Sequence, residues 1–170
     1  MRARSSDLLV GHWGARFMGR SMPCAVGRGG FATSKREGDG CTPIAELRLA
    51  HGYYRADRLR RPLTRIPLDP ISVRDLWSDD PSDPKYNHHV TTAPQSFSYE
   101  RLRRGDPLYD IVLVTDWNWP VASPGLGSAI FVHCWRRARF PTEGCIAFNR
   151  SDLLWLLAHW QADSRILIQP

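Results

Sequence analysis

Lysine is almost missing from this 170-residue chain: Lys35 and Lys85 are the only two, so the formal net charge of +6 is carried by arginine. Arginine reads carboxylates and phosphates through a planar fork of donors. The basic residues fall in short clusters, Arg60-Arg61, Arg101 to Arg104 and Arg136 to Arg139, which suits a general attraction to anionic polymers and argues against a dedicated nucleic-acid patch. Cysteine is scarce as well. Cys24, Cys41, Cys134 and Cys145 are widely spaced with no CxxC pair, which excludes a disulfide scaffold and leaves room for a free reactive thiol. Long apolar runs are absent: nothing approaches the ~18 residues of a membrane helix. Near the start, Leu8-Leu9-Val10 falls short of the roughly 7–15 apolar residues of an export signal. Heptads and internal repeats are lacking too, which excludes coiled coils and solenoids.

What the chain does have is seven Trp, six Phe, thirteen Gly and thirteen Pro, enough for a core in one domain and biased towards short strands and loops. The reading is a mainly β, α+β fold: a mixed β-sheet sandwich with one or two short helices. Glycines at 11, 14, 19 and 27 separate Leu8–Val10, Trp13–Met18 and Met22–Val26 as an opening meander. Leu47–Tyr54 reads as a strand. Arg55 to Pro94, broken by prolines at 62, 67, 70, 81, 84 and 94, reads as a long ordered loop inserted in the domain. Ser98–Arg104 reads as a short helix. Tyr109–Thr115 and Ala129–Cys134 are near-continuous apolar runs and should form the centre of a sheet. A helix capped by Ser151 and favoured by Asp152 carries Leu153, Leu154, Leu156, Leu157 and Trp160, and Arg165–Ile168 closes the fold as a strand.

The chemistry centres on His133 and Cys145. Strand side chains alternate, so His133 and Phe131 share one face while Val132 and Cys134 share the other, which makes Cys134 a core residue. A thiol is a strong nucleophile as a thiolate, which an adjacent imidazole stabilises. Gly144 lets the backbone before Cys145 turn sharply, and N–H groups there are placed to hold an oxyanion. Gly-Cys with a distant histidine is by itself equally compatible with a small buried hydrophobe.

The order of elements narrows this. A strand ending in His133, a loop, Thr142-Glu143-Gly144-Cys145-Ile146 and then an apolar helix resembles the L,D-transpeptidase (YkuD-type) family, in which a strand histidine precedes Ser/Thr-x-Gly-Cys-hydrophobic. Val26-Gly-Arg-Gly-Gly30 and Gly40-Cys-Thr42-Pro43 are similar to its N-terminal half, so the likeness covers all but roughly 55–94. Two positions after the nucleophile, where the family commonly has arginine, stands Ala147; before the motif glycine stands Glu143; and the His-to-Cys spacing is shortened. The whole pattern is similar to a short proteobacterial subgroup associated with 1,3 (L-Ala to diaminopimelate) cross-links. The resemblance implies Cys145 as nucleophile, His133 as general base and acid, Gly144 in the oxyanion region, a thioester intermediate, no cofactor, peptidoglycan stem peptides as donor and acceptor, a periplasmic site of action and acylation by carbapenems.

Thr142, Glu143, Arg137 and Arg139, around the nucleophile, are candidate substrate-binding residues, with Arg136 alongside. Trp77 and Tyr86 make the proline-rich stretch either a wall of the cleft or an inert cover. His88-His89 and Asp79-Asp80 lack metal-ligand spacing and read as a solvated loop, so no metal is expected. Gly27–Gly30 lacks the Gly-Lys-Ser/Thr ending of a phosphate loop and reads as a hairpin turn. Four other readings stay open: 3,3-type cross-linking by the same Cys/His site; water as acceptor, which makes a carboxypeptidase or endopeptidase; a non-catalytic wall-binding module; and an arginine-rich nucleic-acid binder.

Overall fold

The computed structural model describes residues 3–170; of the basic start, residues 1 and 2 lie outside it. The order is β1 (Leu8–Gly11), β2 (Gly14–Phe17), β3 (Arg20–Met22), β4 (Phe31–Ala32), β5 (Thr42–Pro43), β6 (Glu46–Leu47), β7 (Leu49–Tyr54), β8 (Leu68–Pro70), β9 (Leu76–Ser78), β10 (His89–Val90), β11 (Tyr99–Arg101), β12 (Ile111–Thr115), β13 (Phe131–Cys134), β14 (Ile146–Phe148), α1 (Arg150–His159) and β15 (Ile166–Ile168). The fold is mainly β. One five-stranded sheet has the order β3-β2-β1-β15-β6, with the meander β1–β3 antiparallel and β15 parallel to β1. The other has the order β14-β13-β12-β7-β8. A three-stranded sheet, β10-β9-β11, lies apart from both.

Side-chain alternation along β12 explains the layering. Ile111 and Leu113 enter the larger core, shared with Leu8, Val10 and Phe17 of the first sheet and with Leu153, Leu156 and Leu157 of α1. Val112 and Val114 point the other way, into a smaller core with Ile71, Trp77, Leu102 and Phe131 under the three-stranded sheet. Along β13 the same alternation sends Val132 and Cys134 to the larger core and Phe131 to the smaller one. The second sheet is therefore covered on both faces, as its continuous apolar strands require.

Several elements differ from the sequence reading. Ser98–Arg104 contains a strand, not a helix: seven residues cannot sustain a helix alone, and β11 gains a ladder with β9 while Leu102 N–H donates to the Asp75 carbonyl. The 55–94 stretch is not one loop but carries β8, β9 and β10; Pro70 is tolerated because β8 is an edge strand. Leu47–Tyr54 is divided, so that β6 joins one sheet and β7 the other. The expected third strand ends at Met22, and Ala25 forms an isolated bridge with Ala147. Asn149, not Ser151, caps α1: its side chain accepts from the Asp152 N–H at 2.8 Å, because the chain leaves β14 directly into the first turn.

Candidate active site

β13 and β14 run parallel, with His133 paired to Ala147 and Val132 to Ile146. Cys145, one residue ahead of that register, falls beside Phe131, whose N–H donates to Cys145 Sγ at 3.4 Å. Ile146 and Phe148 face the larger core, so Cys145 and Ala147 face the opposite side, the side of His133. Two residues along a strand advance about 7 Å, which places imidazole and thiol on one face within side-chain reach. Both open onto one cavity of about 850 Å³. Its floor is Ala129, Ile130, His133, Cys145 and Ala147; Asp79, Tyr99, Glu100, Arg101 and Arg104 line it from the three-stranded sheet and its exit, and Trp135, Arg136 and Phe140–Glu143 from the loop between His133 and Cys145.

The turn that presents Cys145 is held by two threonines. Thr42 Oγ1 donates to the Gly144 carbonyl at 2.9 Å and accepts from Gly27 N–H at 2.8 Å. Thr142 Oγ1 donates to the Cys145 carbonyl at 2.6 Å and accepts from Gly144 N–H at 3.1 Å. Gly144 has φ 136°, and a Cβ there would lie 2.7 Å from the Cys41 carbonyl oxygen. Gly144→Ala is therefore expected to displace the sulfur and to slow acylation of Cys145 about 100-fold. The melting temperature should fall by only a few degrees, the scale of a single strained residue. Intact-protein mass spectrometry of the acylated enzyme and a thermal melt measure the two separately.

His133 is buried, and its Nδ1 lies 2.8 Å from the Cys134 carbonyl oxygen. A carbonyl only accepts, so Nδ1 carries the proton and Nε2 presents a lone pair. Burial pushes the imidazole down to about 4. Burial likewise pushes the Cys145 thiol up to about 12, the charge of Glu100 adding to it and the Phe131 N–H opposing. The S–H donates to the Ala129 carbonyl at 3.0 Å. The resting pair is a neutral thiol and a neutral imidazole, which differs from the thiolate the sequence reading favours: Ala147, opposite His133, brings no charge into a site closed by Phe131 and Tyr109. Among the described residues the Cys145 N–H has no hydrogen-bond partner, whereas the Gly144 N–H is engaged by Thr142. The N–H this turn leaves for an outside acceptor is thus that of Cys145 itself.

The L,D-transpeptidase catalytic domain family matches residues 16–168, a span holding every element of this site. The chain belongs to that family. Comparison with curated proteins and with solved structures returns no match. Against this L,D-transpeptidase background, the remaining candidates separate by position. Thr142 and Glu143 line the cavity, but the Thr142 hydroxyl is engaged within the turn and Glu143 pairs with Arg28 at 2.8 Å. Arg137 packs over the Phe140 ring at 4.4 Å, and neither it nor Arg139 lines the cavity; Arg136 does. Trp77 and Tyr86 are both buried outside the lining: Trp77 meets Phe131 edge-on at 5.0 Å and Tyr86 donates to Glu37. They support the wall from behind because aromatic surface is better placed in the small core than in water.

The His88-His89 and Asp79-Asp80 pairs form separate braces, with His88 on the Tyr86 and Pro120 carbonyls, His89 on Asp75, and Asp79 on the Ser98 hydroxyl. Sequence reasoning missed Tyr109, Glu100, Arg101 and Arg104. Tyr109 meets His133 edge-on at 5.2 Å and donates to Glu100 at 2.6 Å. The alternation of Glu100 and buried Leu102 around Arg101 was the available signal for a strand, hidden by the helical reading of Ser98–Arg104.

Proposed function

We propose that this L,D-transpeptidase family member joins peptidoglycan stem peptides through a thioester on Cys145, with L-alanine as donor and diaminopimelate as acceptor. The observation that carries the reading is that the Cys145 thiol and a His133 imidazole whose tautomer leaves Nε2 basic open onto one cavity. In the first step the sulfur attacks the carbonyl carbon of an L-centre. An S–C bond forms, the peptide C–N bond breaks, and the thiol proton passes by way of His133 to the departing amine. In the second step a diaminopimelate amine attacks the thioester. A C–N bond forms, the C–S bond breaks, and the amine proton returns through His133 to the sulfur. The Cys145 N–H is the donor available to both oxyanions. The 1,3 preference rests on the likeness of Gly127–His133 and Pro141–Cys145 to the subgroup associated with such links, and the periplasm is the compartment that holds this substrate. The same thiol is expected to open the ring of a carbapenem and retain it as a thioester.

Incubating the protein and its Cys145→Ala variant with diaminopimelate-type muropeptides tests this, with products identified by mass spectrometry and fragmentation. Dimers linked from L-alanine to diaminopimelate, formed only by the wild-type chain, are expected. Shortened monomers alone identify water as the acceptor and a hydrolase; dimers made equally well by the Cys145→Ala variant would overturn the assignment.

A further inference from the structure

We propose that Glu100 and Arg101 form the recognition site for the attacking substrate, Glu100 taking its ammonium and Arg101 the carboxylate on the same carbon, so that the acceptor is selected as a zwitterionic amino-acid end. The inference rests on the acyl-transfer reading above and deepens it. β11 is an edge strand of the three-stranded sheet, paired only with β9; both residues line the cavity that holds Cys145 and His133, Arg101 leaving the strand on the face opposite Glu100.

The two residues are unlike the other charged groups there. Arg104 is committed to Asp106 at 2.8 Å, and Glu143 to Arg28. Arg101 is exposed and has no ion pair or hydrogen bond from its side chain among the described residues. Glu100 accepts from Tyr109 through Oε1, and Arg104 Nη1 stands 3.7 Å from that same oxygen. Oε2 accepts no hydrogen bond among the described residues, which leaves one carboxylate oxygen for a donor from outside. Burial raises the Glu100 carboxyl, and its charge in turn raises the Cys145 thiol, with which it shares the cavity. Through Tyr109 it is also contiguous with His133. An ammonium held on Oε2 would share the cavity with the thioester, and Arg101, which lines the same cavity, is the cation there for its carboxylate. A side-chain end of diaminopimelate, with amine and carboxylate on one carbon, has this chemistry; a plain alkylamine has half of it.

Two small acceptors isolate the two contacts: free meso-diaminopimelate, and 1,5-diaminopentane, which is the same molecule without its carboxylates. The wild-type chain, Arg101→Gln and Glu100→Gln are each acylated with a donor muropeptide, and thioester formation and its discharge to each amine are followed by mass spectrometry. Discharge is scored per acylated molecule, so that any change in acylation itself, expected for Glu100→Gln because its charge acts on the thiol, is counted apart. Arg101→Gln is expected to lose about tenfold or more in kcat/KM for diaminopimelate and nothing for 1,5-diaminopentane, the loss of a charge-assisted pair. Glu100→Gln, which keeps an oxygen for Tyr109, should lose comparably for both amines, with hydrolysis taking up the difference. If Arg101→Gln keeps the wild-type preference between the two amines, the inference fails while the acyl-transfer reading stands. If the wild-type chain forms no thioester at Cys145, the reading beneath it fails, and this inference with it.

Discussion

Replacing His133 by glutamine is expected to slow thioester formation at Cys145 by about 10³-fold at neutral pH, within the range that a positioned general base contributes. The pH dependence makes the test specific. The imidazole, pushed down to about 4 by burial, is a base only when neutral, so protonation below that value removes the acceptor for the thiol proton. Wild-type acylation should therefore be level from about pH 5 upwards and fall about tenfold per unit below about 4. The glutamine variant should show no break there. Its residual rate should instead climb with pH towards the thiol value of about 12, because only spontaneous ionisation then supplies the nucleophile. A preformed thiolate–imidazolium pair predicts the reverse, rapid alkylation at pH 6 with or without a bound donor, and iodoacetamide labelling distinguishes the two. Stability follows the same group. The unfolded chain binds a proton at His133 near 6.5 and the folded chain only near 4, so the stability owed to the neutral buried ring is complete above about 6.5 and is lost as pH falls towards 4. That part of the acid destabilisation should vanish in the glutamine variant.

Asn87→Ala is expected to lower the melting temperature by about 10 °C and to slow acylation as well. Asn87 is buried, and its Oδ1 accepts from Trp77 Nε1–H at 3.0 Å and from the Ala129 N–H at 3.0 Å. Its Nδ2 donates to the carbonyls of Trp117 at 3.1 Å and Asn118 at 2.7 Å. Truncation strands two donors and two acceptors in a half-closed interior, each at about 1–3 kcal/mol when it finds no water. A total near 4 kcal/mol corresponds to a fall of roughly 10 °C in a chain of this length. The consequence reaches the site through one residue. Ala129 is held at φ 51°, a conformation unfavourable for alanine, and its carbonyl is the acceptor of the Cys145 S–H. Without the Asn87 bond that residue relaxes and the sulfur loses its orientation. Asn87→Asp keeps the two acceptor contacts and removes the two donors, so it should retain more of the activity than of the stability. An Asn87→Ala protein that melts and acylates like the wild type would show that the proline-rich segment does not hold the site.

How much of this was legible beforehand depended on the range of the forces involved. The faces of β13 followed from period-two alternation alone, which put His133 opposite Cys134 and made Cys134 a core thiol; it is buried, and burial raises its thiol to about 11. The sharp turn at Gly144 was readable for a similar reason, since only glycine tolerates the dihedral and the approach to Cys41. Asn87 was not. A polar residue among prolines reads as solvent-facing until the chain it braces, 30 to 42 residues away, is in place.

The sequence by itself determined the mainly β class, the central strands β12 and β13 and the family, and it singled out Cys145 and His133 as candidates, because alternation, turn chemistry and a motif within a dozen residues are local properties. Only the tertiary structure decided that Ser98–Arg104 contains a strand, that Trp77 and Tyr86 stand behind the cavity while Glu100 and Arg101 line it, and that burial raises the thiol and lowers the imidazole. Each of these is settled by which distant chain happens to cover a side chain. Edge pairing, burial and the loss of solvation that moves a pKa exist only after the layers have closed.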